Sequence, residues 1–206
     1  MATTASATAR ASGLGSRAER ADAARNRGRI LAAAEELVAA KGVAALTMNE
    51  VAAAAGVGVG TVYRRFEDQG GLVEAMMDER ERRLQEAMAS GPPPLGPGAE
   101  PVERIRAFLH AYVDVLDTYG PLMAAAEATM SPERRHRSGP YTVHREHLAS
   151  LIHEASPDAD AEYLAQALLA PLAAGTFVQQ REQQGMRLAR IKAGLDDLVR
   201  GLPVPA

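Results

Sequence analysis

Apolar residues recur along this chain mostly at spacings of three and four, the period of an α-helix with one buried face. The first clear run spans residues 27–41 and stops at Gly42. Its apolar positions are Ile30, Leu31, Ala34, Leu37 and Val38. A second, longer run begins near residue 68 and extends to about residue 89. Both runs predict amphipathic helices.

The same period continues through the C-terminal half, interrupted by segments that cannot be helical. Residues 90–101 contain five prolines and three glycines, which predicts a loop. One helix is predicted to bend at Pro171, where a backbone hydrogen bond is lost. Further helices are predicted over about residues 102–118, 122–130, 141–154, 158–184 and 186–200. With two short helices described next, the chain is predicted to be all-α with about nine helices.

Residues 47–66 have the pattern of two short helices joined by a sharp turn. Thr47 can accept a hydrogen bond from the N–H of Glu50, whose carboxylate can reach back to the N–H of Thr47, and this capping box begins a helix. Gly56 can adopt the left-handed conformation that ends it. Gly58 is an acceptable N-cap for the second helix. In such a motif the second helix lies in the major groove of DNA.

The order of these residues, TMNEVAAAAGVGVGTVYRRF, resembles the helix-turn-helix of the TetR family of bacterial transcriptional regulators. The similarity extends from Arg29 to Met77. It implies an N-terminal three-helix DNA-binding domain, followed by a larger helical ligand-binding and dimerisation domain. We expect these domains over residues 25–70 and 71–206, after a disordered basic arm over residues 1–24.

Two positions depart from the family pattern. Gly58 stands where Ser or Thr is usual, which should cost only about a few tenths of a kcal/mol. Gln69 stands where a lysine is usual, so a phosphate contact would be lost there.

The resemblance also implies how the domain would contact DNA. Thr47 and Tyr63 would form hydrogen bonds to phosphates, and the start of the second helix would meet bases or phosphates in the groove. Arg64 or Arg65 is the best candidate for a guanine contact. The predicted DNA-binding residues are Thr47, Gly58, Val59, Gly60, Thr61, Tyr63, Arg64, Arg65 and Gln69.

The arm has two interpretations. It is either a solvated tail with no role, or a basic arm that touches phosphates or enters a narrow minor groove. The arginines of the arm and of the next helix are Arg10, Arg17, Arg20, Arg25, Arg27 and Arg29.

Charge is unevenly distributed. Residues 1–66 hold nine Lys and Arg against five Asp and Glu, whereas residues 67–206 hold fourteen against twenty-one. The basic end carries the turn motif, as expected for a DNA-contacting domain attached to an acidic one.

Composition excludes several kinds of site. The chain has no cysteine, so it has no disulfide, thiolate zinc site or cysteine nucleophile. No apolar run approaches the ~20 residues of a membrane span, and the N-terminus lacks the apolar core of a signal peptide. We expect a cytoplasmic protein with no membrane contact and no cofactor.

The last two predicted helices carry an association signal. Leucine and isoleucine recur there at spacings of three and four, typical of helices packed side by side. A buried monomer core would also explain this pattern, but the family uses these helices for a dimeric four-helix bundle. The predicted homodimer interface comprises Leu164, Leu168, Leu172, Leu188, Ile191, Leu195 and Leu198.

The mechanism implied by the resemblance is ligand-controlled repression. A two-fold dimer would present two recognition helices ~34–36 Å apart and require a palindromic operator of double-stranded DNA. A small-molecule effector bound in the C-terminal domain would favour a form with the wrong spacing. The predicted pocket residues are His110, Tyr112, Asp114, Met123, Glu127, Met130, Tyr141, Thr176, Phe177 and Gln180.

Other function classes have weaker support. The glycines of residues 56–60 resemble a dinucleotide-binding loop, but the third glycine position falls on Thr61 and a helix, not a strand, precedes it. His144 and His147, with His153 further on, suggest either a metal site or solvated surface histidines. No nucleophile, base and orienting group can be traced, so we expect no enzyme activity. The alternatives are an all-helical protein-interaction module or a metal-dependent enzyme, neither of which would bind DNA.

Overall fold

The computed structural model describes the backbone of residues 5–128 and 139–202, with side chains from Asp22 onward. Within these ranges there are nine α-helices and no strands, so the predicted all-α fold is confirmed. The helices are α1 (Ala5–Lys41), α2 (Met48–Ala55), α3 (Val59–Phe66), α4 (Gln69–Ser90), α5 (Pro101–Ala128), α6 (Gly139–Ala155), α7 (Ala161–Leu169), α8 (Ala174–Val178) and α9 (Leu188–Arg200). Tighter 3-10 turns occupy Val43–Ala45 and Ala170–Leu172, and Gln179–Gln183 is π-helical.

The chain divides into two compact units, Met1–Asp78 and Glu79–Ala206, here named the head and the body. The division falls inside α4, eight residues beyond the predicted boundary at residue 70. The first turns of α4 belong to the head because Leu72, Val73 and Met76 are buried there.

The head is built from α1 to α3 and the start of α4. α1 packs on α2, and α2 packs on α3. The buried apolar residues follow the predicted helical spacing because each helix turns one face inward. They include Ile30, Leu31, Ala34, Val38, Leu46, Val51, Val62, Phe66, Leu72 and Met76.

The first helix is longer than the sequence pattern predicted. Its backbone is helical from Ala5, so it runs through most of the segment predicted to be a disordered arm. The segment is rich in alanine and arginine, two strong helix formers. The side chains of Arg10, Arg17 and Arg20 lie outside the described part of the chain, and their predicted contact with DNA stays a prediction.

The body is organised around α5, which packs on α6, α8 and α9. α6 in turn packs on α7. The core comprises α4 residues near the domain division and the inward faces of the later helices. Its largest fully buried side chains are Ile105, Phe108, Leu109, Leu116, Leu148, Ile152 and Phe177.

α5 does not stop before Pro121 as predicted. It continues through the proline to Ala128, so the predicted separate helix over residues 122–130 is wrong for its described part. Gly120 is buried against α8: a Cβ there would lie 3.4 Å from atoms of Phe177 and Val178. The packing of α5 against α8 favours a continuous helix despite the local stop signal.

The single long helix predicted over residues 158–184 is instead broken into several elements. Asp160 caps α7 by accepting from the N–H of Tyr163 at 3.1 Å. The 3-10 turn that contains Pro171 then ends α7, because proline cannot donate a backbone hydrogen bond.

Among the described residues, the helices are mostly too short or too polar for a membrane span. No single helix is long and apolar enough to cross a bilayer; segments Ala161–Leu172 and Ala174–Gln183, bent by 44°, reach the threshold of length and composition only as a pair.

Candidate DNA interface and effector region

The start of α2 is capped by Thr47. Its hydroxyl accepts from the N–H of Glu50 at 3.4 Å and donates to the Glu50 carboxylate. Lys41 Nζ lies 2.6 Å from the same carboxylate. Hydrogen bonds from Lys41 and Thr47 hold the pKa of Glu50 below its usual range. The cap by Thr47 agrees with the prediction. The Glu50 carboxylate was expected to accept from the N–H of Thr47, but it bonds the side chains of Thr47 and Lys41 instead.

The turn between α2 and α3 depends on Gly56. Its backbone is left-handed, with φ 64° and ψ 39°, a conformation that costs glycine nothing. The N–H of Val57 reaches back to the carbonyl of Ala52 at 3.0 Å and closes α2. α3 follows directly, with Gly58 as its cap and no side-chain hydrogen bond there.

α3 has a buried face and an exposed face, as predicted. Val62 and Phe66 are buried in the head, whereas Val59 is 40% exposed and Tyr63 is 48% exposed. The polar and small residues Gly60, Arg64 and Arg65 are exposed, and Thr61 is half-buried. Neither Arg64 nor Arg65 forms an ion pair with the described residues.

An open groove of about 390 Å³ runs between α1 and this helix. Asp22, Ala23 and Asn26 line it from α1; Thr61, Arg64 and Arg65 line it from α3. The most polar part of α3 therefore borders a surface that also includes α1.

A tight turn joins α3 to α4. Glu67 has φ 64° and ψ −60°, and the N–H of Asp68 donates to the carbonyl of Phe66 at 2.7 Å, which makes a γ-turn. A positive φ in a residue with a side chain is strained. Asp68 Oδ1 then accepts from the N–H of Gly71 at 2.9 Å and caps α4. Gln69 is the first residue of α4 and is exposed.

In the body, the predicted pocket residues on α5 lie on different faces of the helix, and two of them face α9. His110 Nε2 lies 2.9 Å from Asp196 Oδ1, and Lys192 Nζ lies 2.6 Å from Asp114 Oδ1. His110 and Asp114 therefore tie α5 to α9.

Tyr112 faces α6 and not α9. Its ring stacks on Phe108 with a centroid distance of 6.1 Å and meets the ring of His144 edge-on at 4.8 Å. Burial raises the pKa of the Tyr112 phenol, and the negative charges of Glu127 and Glu81 add to this effect. The phenol is therefore a neutral group that can donate a hydrogen bond.

Sequence reasoning missed a polar pair beside Tyr112, made by a buried histidine and a half-buried glutamate. His144 is only 1% exposed, and its Nε2 lies 2.9 Å from Glu81 Oε1. Gln85 Nε2 donates to the same oxygen at 2.7 Å. Burial alone would raise the pKa of Glu81, but the hydrogen bonds from His144 and Gln85 and the charge of His144 outweigh it, and the pKa is lowered.

Of the two interpretations of the histidines, that of a solvated surface side chain is wrong for His144, which is buried. The available signal was its spacing: it lies four residues before Leu148 and eight before Ile152, both buried. His147 contacts Phe108 edge-on at 5.7 Å. Burial, helped by the positive charges of Arg104 and His144, lowers the pKa of His147 to about 4.

The other predicted pocket residues differ in burial. Met123 and Tyr141 are half-buried against the body core, Thr176 is exposed, Gln180 is half-buried, and Phe177 is 1% exposed within the core. Phe177 also borders an open pocket of about 250 Å³. Met130 lies outside the described residues. No group of three or more metal-ligating side chains occurs in the described ranges.

The predicted dimer residues also differ in burial. Leu168, Leu172, Ile191 and Leu195 are buried in the core of one chain, as the alternative of a monomer core predicts. Leu164 and Leu188 are half-buried at its edge, and Leu198 is 51% exposed. Tyr163, absent from the predicted set, is 69% exposed on α7.

Residues 30–76 match the family model of bacterial regulatory proteins of the tetR family. The chain carries the DNA-binding domain of the TetR family. The resemblance inferred from the residues 47–66 motif is therefore confirmed. No curated protein matches the chain by sequence.

Solved structures extend the likeness over the body. A TetR transcriptional regulator from Streptomyces coelicolor is 25% identical, covering 87% of this chain and 99% of that one, with a TM-score of 0.59. A transcriptional regulator from Saccharomonospora viridis in complex with choline is 20% identical, covering 89% and 100%, with a TM-score of 0.63. The regulator FadR from Bacillus subtilis in complex with stearoyl-CoA is 16% identical, covering 84% and 97%, with a TM-score of 0.56.

The structure shows a close approach just after Gln69, one of the two departures from the TetR-family pattern. Gly70 and Gly71 follow Gln69, and a Cβ on Gly71 would lie 2.3 Å from the carbonyl oxygen of Phe66. The γ-turn at Glu67 brings that carbonyl close to α4, so only glycine fits at position 71 without movement. The paired glycines after the motif were the signal in the sequence for such a close approach.

Proposed function

We propose that the chain is a ligand-responsive transcriptional repressor that binds a palindromic operator as a homodimer and is released by a small-molecule effector. The observation that carries this proposal is α3 of the TetR-family head. Its exposed face combines small residues with Tyr63, Arg64 and Arg65, while Val62 and Phe66 anchor the opposite face. Such a helix can enter the major groove without unfolding the head.

The contacts proposed for DNA follow from these side chains. Arg64 or Arg65 would read guanine through two hydrogen bonds, and each is free of ion pairs among the described residues. Val59, Gly60 and Thr61 would approach the base edges. Tyr63 and Thr47 would donate to phosphates, and Thr47 would first exchange its bond to Glu50. Gly58 and Gln69 lie beside these contacts, at the starts of α3 and α4.

The dimer is proposed to form through α7 and α9. Tyr163 on α7 and Leu198 on α9 are large apolar side chains left exposed by the single chain. Leu164 and Leu188 lie on the same two helices, are half-buried, and can complete the contact. A two-fold interface uses the same patch on both copies. The predicted interface residues that lie in the core of the chain would support this surface from beneath.

A small-molecule effector is proposed to bind in the body. The S. viridis regulator was solved with choline and the B. subtilis regulator with stearoyl-CoA. Because this chain has a related fold, these complexes support the proposal that it also binds a small molecule. The residues best suited to contact it are Tyr112, Met123 and Tyr141, because they are half-buried at the edge of the core. Because the proposed target is DNA, we place the protein in the cytoplasm and assign it no catalytic step.

The test begins with the full-length protein and a library of random duplex DNA. Repeated binding should enrich a palindromic sequence. Fluorescence anisotropy should then give a dissociation constant of about 10⁻⁸ M or lower, with steep salt dependence and resistance to unrelated competitor DNA.

A matched pair of variants sharpens the test. Arg64→Ala should weaken binding to the enriched duplex by roughly 10- to 100-fold. Arg82→Ala removes an exposed arginine of the body and should leave binding unchanged. The proposal fails if no sequence is enriched, or if Arg64→Ala binds as tightly as the original protein.

A further inference from the structure

The guanidinium of Arg29 lies at the turn between α2 and α3. Its Nη2 donates to the carbonyl of Ala55 at 2.5 Å and lies 3.4 Å from the carbonyl of Gly56. On its other side, Nη1 donates to Asn26 Oδ1 at 3.4 Å, one turn earlier on α1. Arg29 therefore joins α1 to the two residues at which the chain leaves α2.

These carbonyls need a partner from outside their own helix. The last carbonyls of an α-helix have no N–H four residues ahead, and they carry partial negative charge. Ala55 ends α2 and Gly56 turns away with a positive φ. A cation that reaches them from α1 satisfies the carbonyls and opposes the charge at the helix end. The contact is close, since a Cβ on Gly56 would lie 3.3 Å from Arg29 Nη2.

A second arginine of α1 contacts the other end of the recognition helix. The guanidinium carbon of Arg27 lies 6.0 Å from the centre of the Phe66 ring. Phe66 is the last residue of α3 and is buried in the head. α1 thus contacts the helix-turn-helix both before α3 begins and where it ends.

We infer that Arg29 is a positioning residue for the recognition helix and does not itself contact phosphate. Its two hydrogen bonds to main-chain carbonyls fix the turn, and the turn determines the direction in which α3 leaves α2. This differs from the basic-arm interpretation, in which Arg29 would contact DNA. The inference rests on the proposed DNA binding for its functional consequence, but its structural part concerns the protein alone.

The structural part is tested without DNA. Hydrogen exchange of the full-length protein should be measured for peptides covering residues 55–62. Arg29→Ala should speed exchange in this segment, because the turn loses its anchor, and Arg29→Lys should have an intermediate effect because an ammonium can satisfy one carbonyl at a time. Arg25→Ala is the matched control, since Arg25 is an exposed arginine of α1 whose ion pair is with Asp22. Unchanged exchange in Arg29→Ala would overturn the inference.

The functional part uses the duplex enriched by the selection and measures affinity at several salt concentrations. Arg29→Ala should weaken binding by about tenfold. The slope of log affinity against log salt should stay the same, because no phosphate contact is lost. A phosphate-contacting Arg29 would instead lower the slope by roughly one unit per chain, and lysine would restore binding in full.

The remaining outcomes are also decisive. If Arg29→Ala only lowers the melting temperature while the folded protein binds the duplex as before, Arg29 stabilises the head without positioning α3, and the inference is wrong. If the unmodified protein enriches no sequence, the proposed function fails, whereas the exchange experiment still decides whether Arg29 holds the turn.

Discussion

The head and the body are held in shape by different kinds of interaction. In the head, turns and helix ends determine much of the geometry. Gly56 is left-handed, Glu67 is strained, Gly71 has no room for a Cβ beside the carbonyl of Phe66, and Arg29 binds the end of α2. In the body, side chains pack around α5, and the buried His144 pairs with the half-buried Glu81.

This difference affects which side chains are free to bind. The exposed face of α3 keeps Arg64 and Arg65 out of ion pairs with the described residues, so they are available to an anionic partner. Polar groups of the body are largely paired with each other. Examples are His110 with Asp196, Asp114 with Lys192, Asp117 with Arg181, and Arg145 with Glu162. An effector would therefore meet half-buried rings and apolar edges more readily than free charges.

The largest effect is expected from the backbone constraint at Gly71. Gly71→Ala should destabilise the head by about 3 kcal/mol, because the new methyl group would overlap the carbonyl of Phe66. Gly70→Ala is the control: its Cβ would meet only the end of the Asp68 side chain, at 3.2 Å, so the change should be close to neutral. Urea unfolding of both variants measures the difference. Equal stability of the two would show that the turn yields easily.

The body should instead respond to pH through His147. Its pKa is lowered to about 4 in the folded protein from 6.5, so between these values the unfolded chain takes up a proton that the folded chain does not. Stability should therefore fall as pH drops below 6.5. After discounting for partial exposure, the loss from pH 7 to pH 5 should be about 1 kcal/mol.

The measurement compares melting at pH 7 and pH 5. His147→Gln should reduce the loss on acidification, whereas His153→Gln, which changes an exposed histidine of the same helix, should not. An unchanged pH response in His147→Gln would assign the acid sensitivity to other groups.

A smaller effect of opposite sign is expected at Glu67. Because its φ is 64°, replacement by glycine should relieve strain and stabilise the head by about 1 kcal/mol. Glu74→Gly, at an exposed position inside α4, should cost about 1 kcal/mol through helix propensity. Chemical denaturation tests both signs, and a destabilised Glu67→Gly would contradict the assignment of strain.

The smallest effect is expected from the ion pairs of the body. Asp114→Asn should cost about 0.5 kcal/mol, because the Asp114 side chain that pairs with Lys192 is 49% exposed and solvent weakens the ion pair. A double-mutant cycle with Lys192→Gln isolates the pair, and Asp158→Asn controls for removing an exposed carboxylate. A coupling well above 1 kcal/mol would mean that these pairs, like the turns of the head, determine structure.

The local features of the chain were determined by its sequence. The helical period, the Thr47 cap, the Gly56 turn and the opposite faces of α3 each depend on residues within a few positions, so local chemistry suffices to predict them. The TetR-family resemblance rests on the same short-range pattern.

Features that depend on distant partners were decided only by the tertiary structure. The period identifies the apolar face of a helix but not the element that covers it. For this reason the sequence did not predict that α5 continues beyond Pro121 or that His144 is buried beside Glu81. It also did not predict that His110 and Tyr112 contact different neighbours. Arg29 illustrates the same limit: its partner, Ala55, lies 26 residues away, and only folding brings the guanidinium to that helix end.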